Sequence, residues 1–324
     1  MPSHHRRNAM TRFTSILVAM NFASRHAVRR AASIAAQHEA RLTLLHVVDP
    51  FQAGRWRTHS TSSVIKQQVA QAHAVLGGYA SELADWHDVH VRTEVQVGDS
   101  LKRVRAHAHD ADLVVVASGR KRVEDLFFPT VVERLSRRLR TPVLVVKRRV
   151  QGRYLKVLIA VDFTRTSEGV VQTAMSLASS ARIHLFHALS SHPAERLRAD
   201  VPPALVREYE DRDRRNSTHR LRSLAGSLNP IRVDVSVEHG HPVPLTLQAQ
   251  ERIGADLVVM GKNGRSAIAD FLLGSVANRA VSEAPCDVLV IPAASAPRHV
   301  TGARSTGQSD AVPLFGQHQR RSAS

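Results

Sequence analysis

Residues 261–275 place chemistry-bearing groups at telling spacing: Gly261-Lys262-Asn263-Gly264, nine residues, then Gly274-Ser275. The run Asp256-Leu257-Val258-Val259-Met260 precedes them, so a buried strand leads into a glycine-containing loop and Gly274-Ser275 opens a helix-like segment. Glycines let a ligand approach the backbone closely, successive N–H groups form an anion nest, and a helix N-terminus adds partial positive charge. Ser275 can donate a hydroxyl hydrogen bond. This is chemistry for a polyphosphate. Lys262 and Arg265 flank the glycines, placed either to neutralise phosphate charge or to be solvated. Asn263 suits a left-handed turn position in either case. The same residues also describe a strand, a turn and a capped helix, so spacing alone leaves both readings open.

Other chemistries find less support. Gly264-Arg265-Ser266-Ala267-Ile268 and Gly98-Asp99-Ser100-Leu101-Lys102 begin like a nucleophile elbow but lack its closing glycine. Gly261-Lys262 lacks the upstream glycine and following Ser/Thr of a P-loop, and no G-x-G-x-x-G is present. No pyrophosphatase-type Ser-Gly-Gly loop follows the first strand. Of nineteen histidines, His107 and His109 are two apart and do not share a helix face, and no Cys pair exists to build a zinc site. No metal site and no catalytic residue is expected. Slow hydrolysis of a bound nucleotide stays open, without an evident base or arginine finger.

The elements that must position these residues occur twice. Ser15–Asn21 returns as Lys156–Asp162, Arg41–Val47 as Arg182–Ala188, and Val91–Gly98 as Val233–Gly240. Ala111–Val116 returns as Ala255–Met260, and Pro142–Val146 as Asp287–Ile291. The offset grows only from 141 residues (Ser15 to Lys156) to 145 (Pro142 to Asp287), so the chain is a duplication. Ala23–His38 reads as a helix with Ala27, Ala31, Ile34 and Ala35 on one face, and Thr164–Ser179 repeats it with Val170, Val171, Ala174, Leu177 and Ala178. Val131, Leu135 and Leu139 form a further stripe, as do Val276, Ala277, Ala280 and Val281. Strand–helix alternation with near-continuous apolar strands implies parallel sheets covered on both faces, hence two doubly wound α/β domains. Ligands in such sheets bind beyond the carboxyl ends of the strands, where Asp162 and Gly261 fall. The expected organisation is a basic, disordered start (1–12), domains at 13–150 and 154–293, and a disordered tail (294–324).

Composition sets the outer bounds. Apolar residues make up 43% of 324 residues and aromatics only 4%, so aliphatic side chains must build the cores. The single cysteine, Cys286, rules out an internal disulfide, fits a reducing compartment and reads as a small buried thiol. No secretory signal or membrane-length segment is apparent, so a soluble cytoplasmic protein is expected. The net charge is +17. Setting aside three charges at the start (Arg6, Arg7, Arg12) and a net three in the tail leaves about +11 on the body. These residues are dispersed with few aromatics among them, which argues against a nucleic-acid partner.

With the repeat laid out, the chain resembles the universal stress protein (UspA-like) family in its tandem form, over about residues 13–150 and 154–293. The most specific part is the Gly-x2-Gly-x9-Gly-Ser signature of the family's ATP-binding branch, matched by Gly261, Gly264, Gly274 and Ser275. The resemblance implies two five-stranded parallel sheets with helices on both faces (adenine nucleotide alpha hydrolase-like), packed like the subunits of the family's dimers. That internal pseudo-dimer makes a monomer feasible and leaves further dimerisation open. It implies that Asp162 contacts adenine and that a residue of His187-Ala188-Leu189 lines the adenine pocket. The implied nucleotide-binding set is Asp162, Phe163, Ala188, Met260, Gly261, Asn263, Gly264, Gly274, Ser275 and Val276. The implied ligand is ATP, or ADP or AMP, with Mg2+ as its accompanying ion, and the implied role is stress response or signalling with an unidentified protein partner. Alternatives are a nucleotide-independent scaffold and a slow ATPase. Phe163 stands where the commoner form has glycine and would narrow the pocket. In the first half Asn21 replaces the aspartate, and Ala117-Ser118-Gly119-Arg120 with Pro129-Thr130 lacks the motif glycines. That domain is expected to bind nucleotide weakly or not at all.

Overall fold

A computed structural model describes residues 12–20, 25–50, 62–86, 89–118, 134–135, 138–149, 152–189, 202–228, 233–262 and 275–292. The first repeat runs β1 (Ser15–Met20), α1 (Arg25–His38), β2 (Arg41–Val48), α2 (Ser62–Trp86), β3 (Val91–Val97), α3 (Ser100–Ala108), β4 (Leu113–Ala117) and β5 (Val143–Val146). The second runs β6 (Lys156–Ala160), α4 (Ser167–Leu177), β7 (Arg182–Leu189), α5 (Pro203–Gly226), β8 (Val233–His239), α6 (Pro242–Ile253), β9 (Leu257–Gly261), α7 (Ser275–Glu283) and β10 (Asp287–Ile291).

Each repeat forms a five-stranded parallel sheet, and the two join into one ten-stranded sheet ordered β3-β2-β1-β4-β5-β10-β9-β6-β7-β8. The seam is the antiparallel pair β5·β10, with Val145 opposite Val288, Leu144 opposite Leu289 and Val143 opposite Val290. Every residue of β5 and β10 is buried, whereas the outer strands β3 and β8 are half-exposed. Because side chains alternate across a strand, the seam feeds two core layers. One face carries Ile16, Val18, Leu144, Ile159 and Leu289 against α1 and α4, and the other carries Leu17, Val143, Val145, Val288 and Val290. Both layers run through both repeats. Cys286 lies in the second layer, fully buried, and burial pushes its thiol up to about 12, so it packs as an unreactive apolar group.

Local chemistry explains the repeated sequence segments. The Ala-Asp pairs before β4 and β9 fasten strand starts together. Asp112 accepts from the backbone N–H groups of Thr14 and Ser15, and Asp256 from those of Leu155 and Lys156. Gly98 and Gly240, equivalent in the two repeats, turn out of β3 and β8 at φ +134° and +142°, a region side chains rarely adopt.

Buried charge holds the seam. Asp287, 1% exposed at the head of β10, accepts from the Lys147 N–H (2.8 Å) and from the Tyr154 hydroxyl (2.7 Å). The Arg30 guanidinium from α1 approaches the same carboxylate at 3.4 Å, stacks 4.0 Å from the Tyr154 ring centroid and donates to the Gly152 carbonyl. Burial, then the Asp287 charge, raise the Tyr154 pKa well above its ordinary value, keeping the hydroxyl a donor. The stretch between the repeats is therefore fastened at 147–148, 152 and 154.

Removing one partner of a buried ion pair strands the other charge, which costs about 3–5 kcal/mol. Asp287→Ala is therefore expected to lower unfolding free energy by that order in urea denaturation. The double variant Arg30→Met, Asp287→Leu should lose clearly less.

Candidate functional site

The order of winding reverses about β6: α4 leads from it to β7 on one side, while α6 leads into β9 on the other. This is the topological switch point of an open α/β sheet, where a crevice opens beyond the carboxyl ends of the strands. Ala160 stands beside both Met260 and Phe186, so the ends of β7, β6 and β9 lie side by side. The structure thereby brings together Asp162 and Phe163 after β6, Ala188 on β7, and Met260 and Gly261 closing β9. Ser275 and Val276 open α7. Asn263, Gly264 and Gly274 lie outside the described residues, as do Asn21, Arg120, Pro129 and Thr130 of the first repeat and Val131 of its apolar stripe.

Asp162 organises the turn out of β6. Its Oδ1 accepts from the Thr164 N–H (3.0 Å), the Thr164 hydroxyl (2.7 Å) and the Ser167 hydroxyl (2.9 Å). These bonds hold Thr164 in a side-chain-supported turn, so the helix expected from Thr164 begins instead at Ser167.

Phe163 adopts φ +57°, a left-handed conformation costing a bulky residue about 1–2 kcal/mol. Its ring is held on two sides. The His187 ring lies 4.4 Å away at 50°, and the Arg220 guanidinium from α5 lies 4.0 Å from the Phe163 centroid. His187 is fixed in turn by a 2.6 Å bond between Nδ1 and the Val161 carbonyl. A carbonyl only accepts, so Nδ1 carries the proton. Arg220 has no signal in the sequence, because α5 is charged on most faces.

Lys262 does not face the crevice. Its N–H continues the ladder to the Ile291 carbonyl (2.7 Å), and its side chain, 6% exposed, carries Nζ to within 3.3 Å of the Leu139 carbonyl in the first repeat. Neither sequence alternative for Lys262, phosphate neutralisation or solvation, describes this. The buried ammonium sits at the negative end of a helical turn across the seam.

His46 and His187, equivalent positions of the two repeats, share one role: His46 bonds the Met20 carbonyl as His187 bonds that of Val161. Two clefts outlined by described residues lie away from the switch point. One of about 340 Å³ in the first repeat includes Thr43, Arg92, Glu94 and His107; the other, about 570 Å³, lies between α6 and Pro285. In the second repeat His184 replaces Thr43 and bonds Ser236 at 2.7 Å. Among the described residues no cluster of three or more metal-ligating side chains forms, and no helix is long and apolar enough to cross a membrane.

Removing the Asp162 carboxylate takes away three acceptor bonds that shape the start of α4, and loss of such a cap costs about 1–2 kcal/mol. Asp162→Ala should destabilise by that amount, read by chemical denaturation, and Asp162→Asn by less. Burial also lowers the pKa values of His38, His46 and His184 from the ordinary 6.5. The unfolded chain therefore takes up these protons first as pH falls. The stability contribution is present above about pH 6.5 and is lost as pH drops through the lowered folded values. The urea midpoint should fall between about pH 7 and pH 5; an unchanged or rising midpoint would contradict the assignment.

Comparison with known proteins agrees with this architecture. The model of the universal stress protein family matches twice, over residues 12–147 and 153–292. A universal stress protein of Mycolicibacterium smegmatis is 27% identical over 275 residues, covering 82% of this chain and 92% of the relative. A universal stress protein E homolog of Haemophilus influenzae is 24% identical over 304 residues, covering 86% and 97%. The crystal structure of a universal stress protein from Archaeoglobus fulgidus superposes with a TM-score of 0.64 at 17% identity, covering 86% of this chain and 96% of that one, a likeness of fold. With two family matches spanning both halves of the ten-stranded sheet, the chain belongs to the universal stress protein family.

Proposed function

We propose that the second repeat binds an adenine nucleotide, ATP or its di- or monophosphate, and that the chain acts as a non-enzymatic stress-response protein of the cytoplasm. The observation that carries this reading is the placement of Asp162 and Gly261 at the ends of adjacent parallel strands, with Ser275 opening the helix at the end of the Gly-x2-Gly-x9-Gly-Ser segment. The crevice at this switch point suits a nucleotide in three respects. The Asp162 carboxylate is held in place through Oδ1, leaving Oδ2 to accept from an adenine amino group. Ala188 on β7, beside the clamped Phe163, gives an apolar contact for a base. The start of α7 offers backbone N–H groups to phosphates, whose charge Mg2+ would share. The first repeat lacks both motif glycines and, in this reading, serves as a structural partner.

The experiment is mass spectrometry of small molecules released on denaturing the purified protein, beside a Gly264→Arg, Gly274→Pro double variant. Adenine nucleotide released from the parent but not from the variant is expected. Nothing released, with no thermal stabilisation on adding millimolar ATP and magnesium, would move the function to protein–protein contacts.

A further inference from the structure

Two lysines cross the seam in opposite directions to reach equivalent places. Lys147, just after β5, donates through Nζ to the carbonyls of Ala284 (2.6 Å) and Ala280 (3.2 Å) at the end of α7. Lys262, just after β9, donates to the Leu139 carbonyl at the end of the helical turn before β5. Leu139 stands four residues ahead of Val143, and Ala284 four ahead of Val288, Val143 and Val288 being repeat equivalents. Each repeat thus sends a buried or half-buried ammonium to carbonyls just ahead of the other's last strand, at a helical turn on one side and at the end of α7 on the other, where carbonyls carry partial negative charge.

These tethers bracket the glycine segment. Lys262 is the second residue of Gly261-Lys262-Asn263-Gly264, and α7, which Lys147 holds by its far end, begins at Ser275. Ser118, the counterpart of Lys262 in the first repeat, makes the same backbone bond, from its N–H to the Val146 carbonyl (2.9 Å), but its side chain is too short to cross. The lysine is therefore peculiar to the repeat that carries the intact signature. A dry ammonium held by a carbonyl does not turn to a phosphate without leaving that carbonyl unpaired.

We propose that Lys262 and Lys147 are positioning residues that fix the end of β9 and the far end of α7 against the first repeat, so that a polyphosphate bound in the second repeat tightens the β5·β10 seam. This rests on the nucleotide reading of the same segment. Linkage makes the coupling reciprocal: whatever loosens the seam weakens the ligand, and the ligand steadies the seam. The first repeat thereby contributes to binding without a site of its own.

The test uses the full chain, ATP and adenosine, with calorimetry and amide hydrogen exchange. In the parent, ATP should slow exchange of the amides at 139–147 in the first repeat, and adenosine, having no phosphate, should not. Lys262→Met should weaken ATP roughly tenfold, within the usual range for coupled sites, change adenosine by less than about twofold and abolish the slowing. Lys147→Met, altered well away from the crevice, should also weaken ATP, by a few-fold, and Lys262→Arg should restore part of the loss. ATP bound by the parent without slowed exchange at 139–147 would overturn the coupling and leave the nucleotide reading standing. A loss with Lys262→Met but not with Lys147→Met would make Lys262 a phosphate ligand instead. No binding of ATP by the parent would remove both readings together.

Discussion

Separated repeats would each end in an apolar strand, Val143–Val146 or Asp287–Ile291, with one row of backbone donors and acceptors unpaired. Antiparallel pairing of these two strands removes both edges at once and makes two core layers continuous across the molecule. Apolar strands of this kind would pair in more than one register, and hydrophobic contact is non-directional. The Asp287 carboxylate supplies direction. It fits only where the Lys147 N–H, the Tyr154 hydroxyl and the Arg30 guanidinium converge, and any slip would leave a buried charge without partners.

The seam also explains how one fold used twice carries one intact signature. Both repeats have the same strand order, the same histidine-to-carbonyl bond beside the first strand and the same Ala-Asp fastening of strand starts. They differ in short stretches at the strand ends, where side chains do not build the core and are free to change. Asp162 and Phe163 meet Arg220 and His187 in the second repeat, and Lys262 reaches across where Ser118 does not. A strained Phe163 backbone persists because its ring is clamped between two neighbours, the setting in which strain gathers at functional positions.

Much of the fold was legible because buried parallel strands must be apolar on both faces, and β-branched runs such as Leu113–Val116 and Leu257–Met260 meet that demand visibly. Ala27, Ala31, Ile34 and Ala35 reported their buried helix face for the same reason. Ala72, Leu76 and Leu83 of α2 stand at helical spacing too and are buried. Contacts set by direction rather than periodicity were not legible. Nothing local says that Lys262 turns into the seam, that Asp287 pairs with an arginine from α1, or that Arg220 covers Phe163. α4 starts at Ser167 rather than Thr164 because helix propensity at Thr164 yields to the hydrogen bonds that its N–H and hydroxyl, with the Ser167 hydroxyl, donate to Asp162. Position 287 did carry a signal: a charged residue heads an apolar strand where the first repeat has Pro142.

The most direct test of the account is photo-crosslinking with an azido-adenine analogue of ATP, followed by mapping of the labelled peptides. The account predicts ATP-competable label in the second repeat alone, on the segments holding Asp162–Thr164 and His187–Leu189. Equal labelling of the first repeat's strand ends, labelling only at the cleft beside Glu94, or no competable label would contradict it.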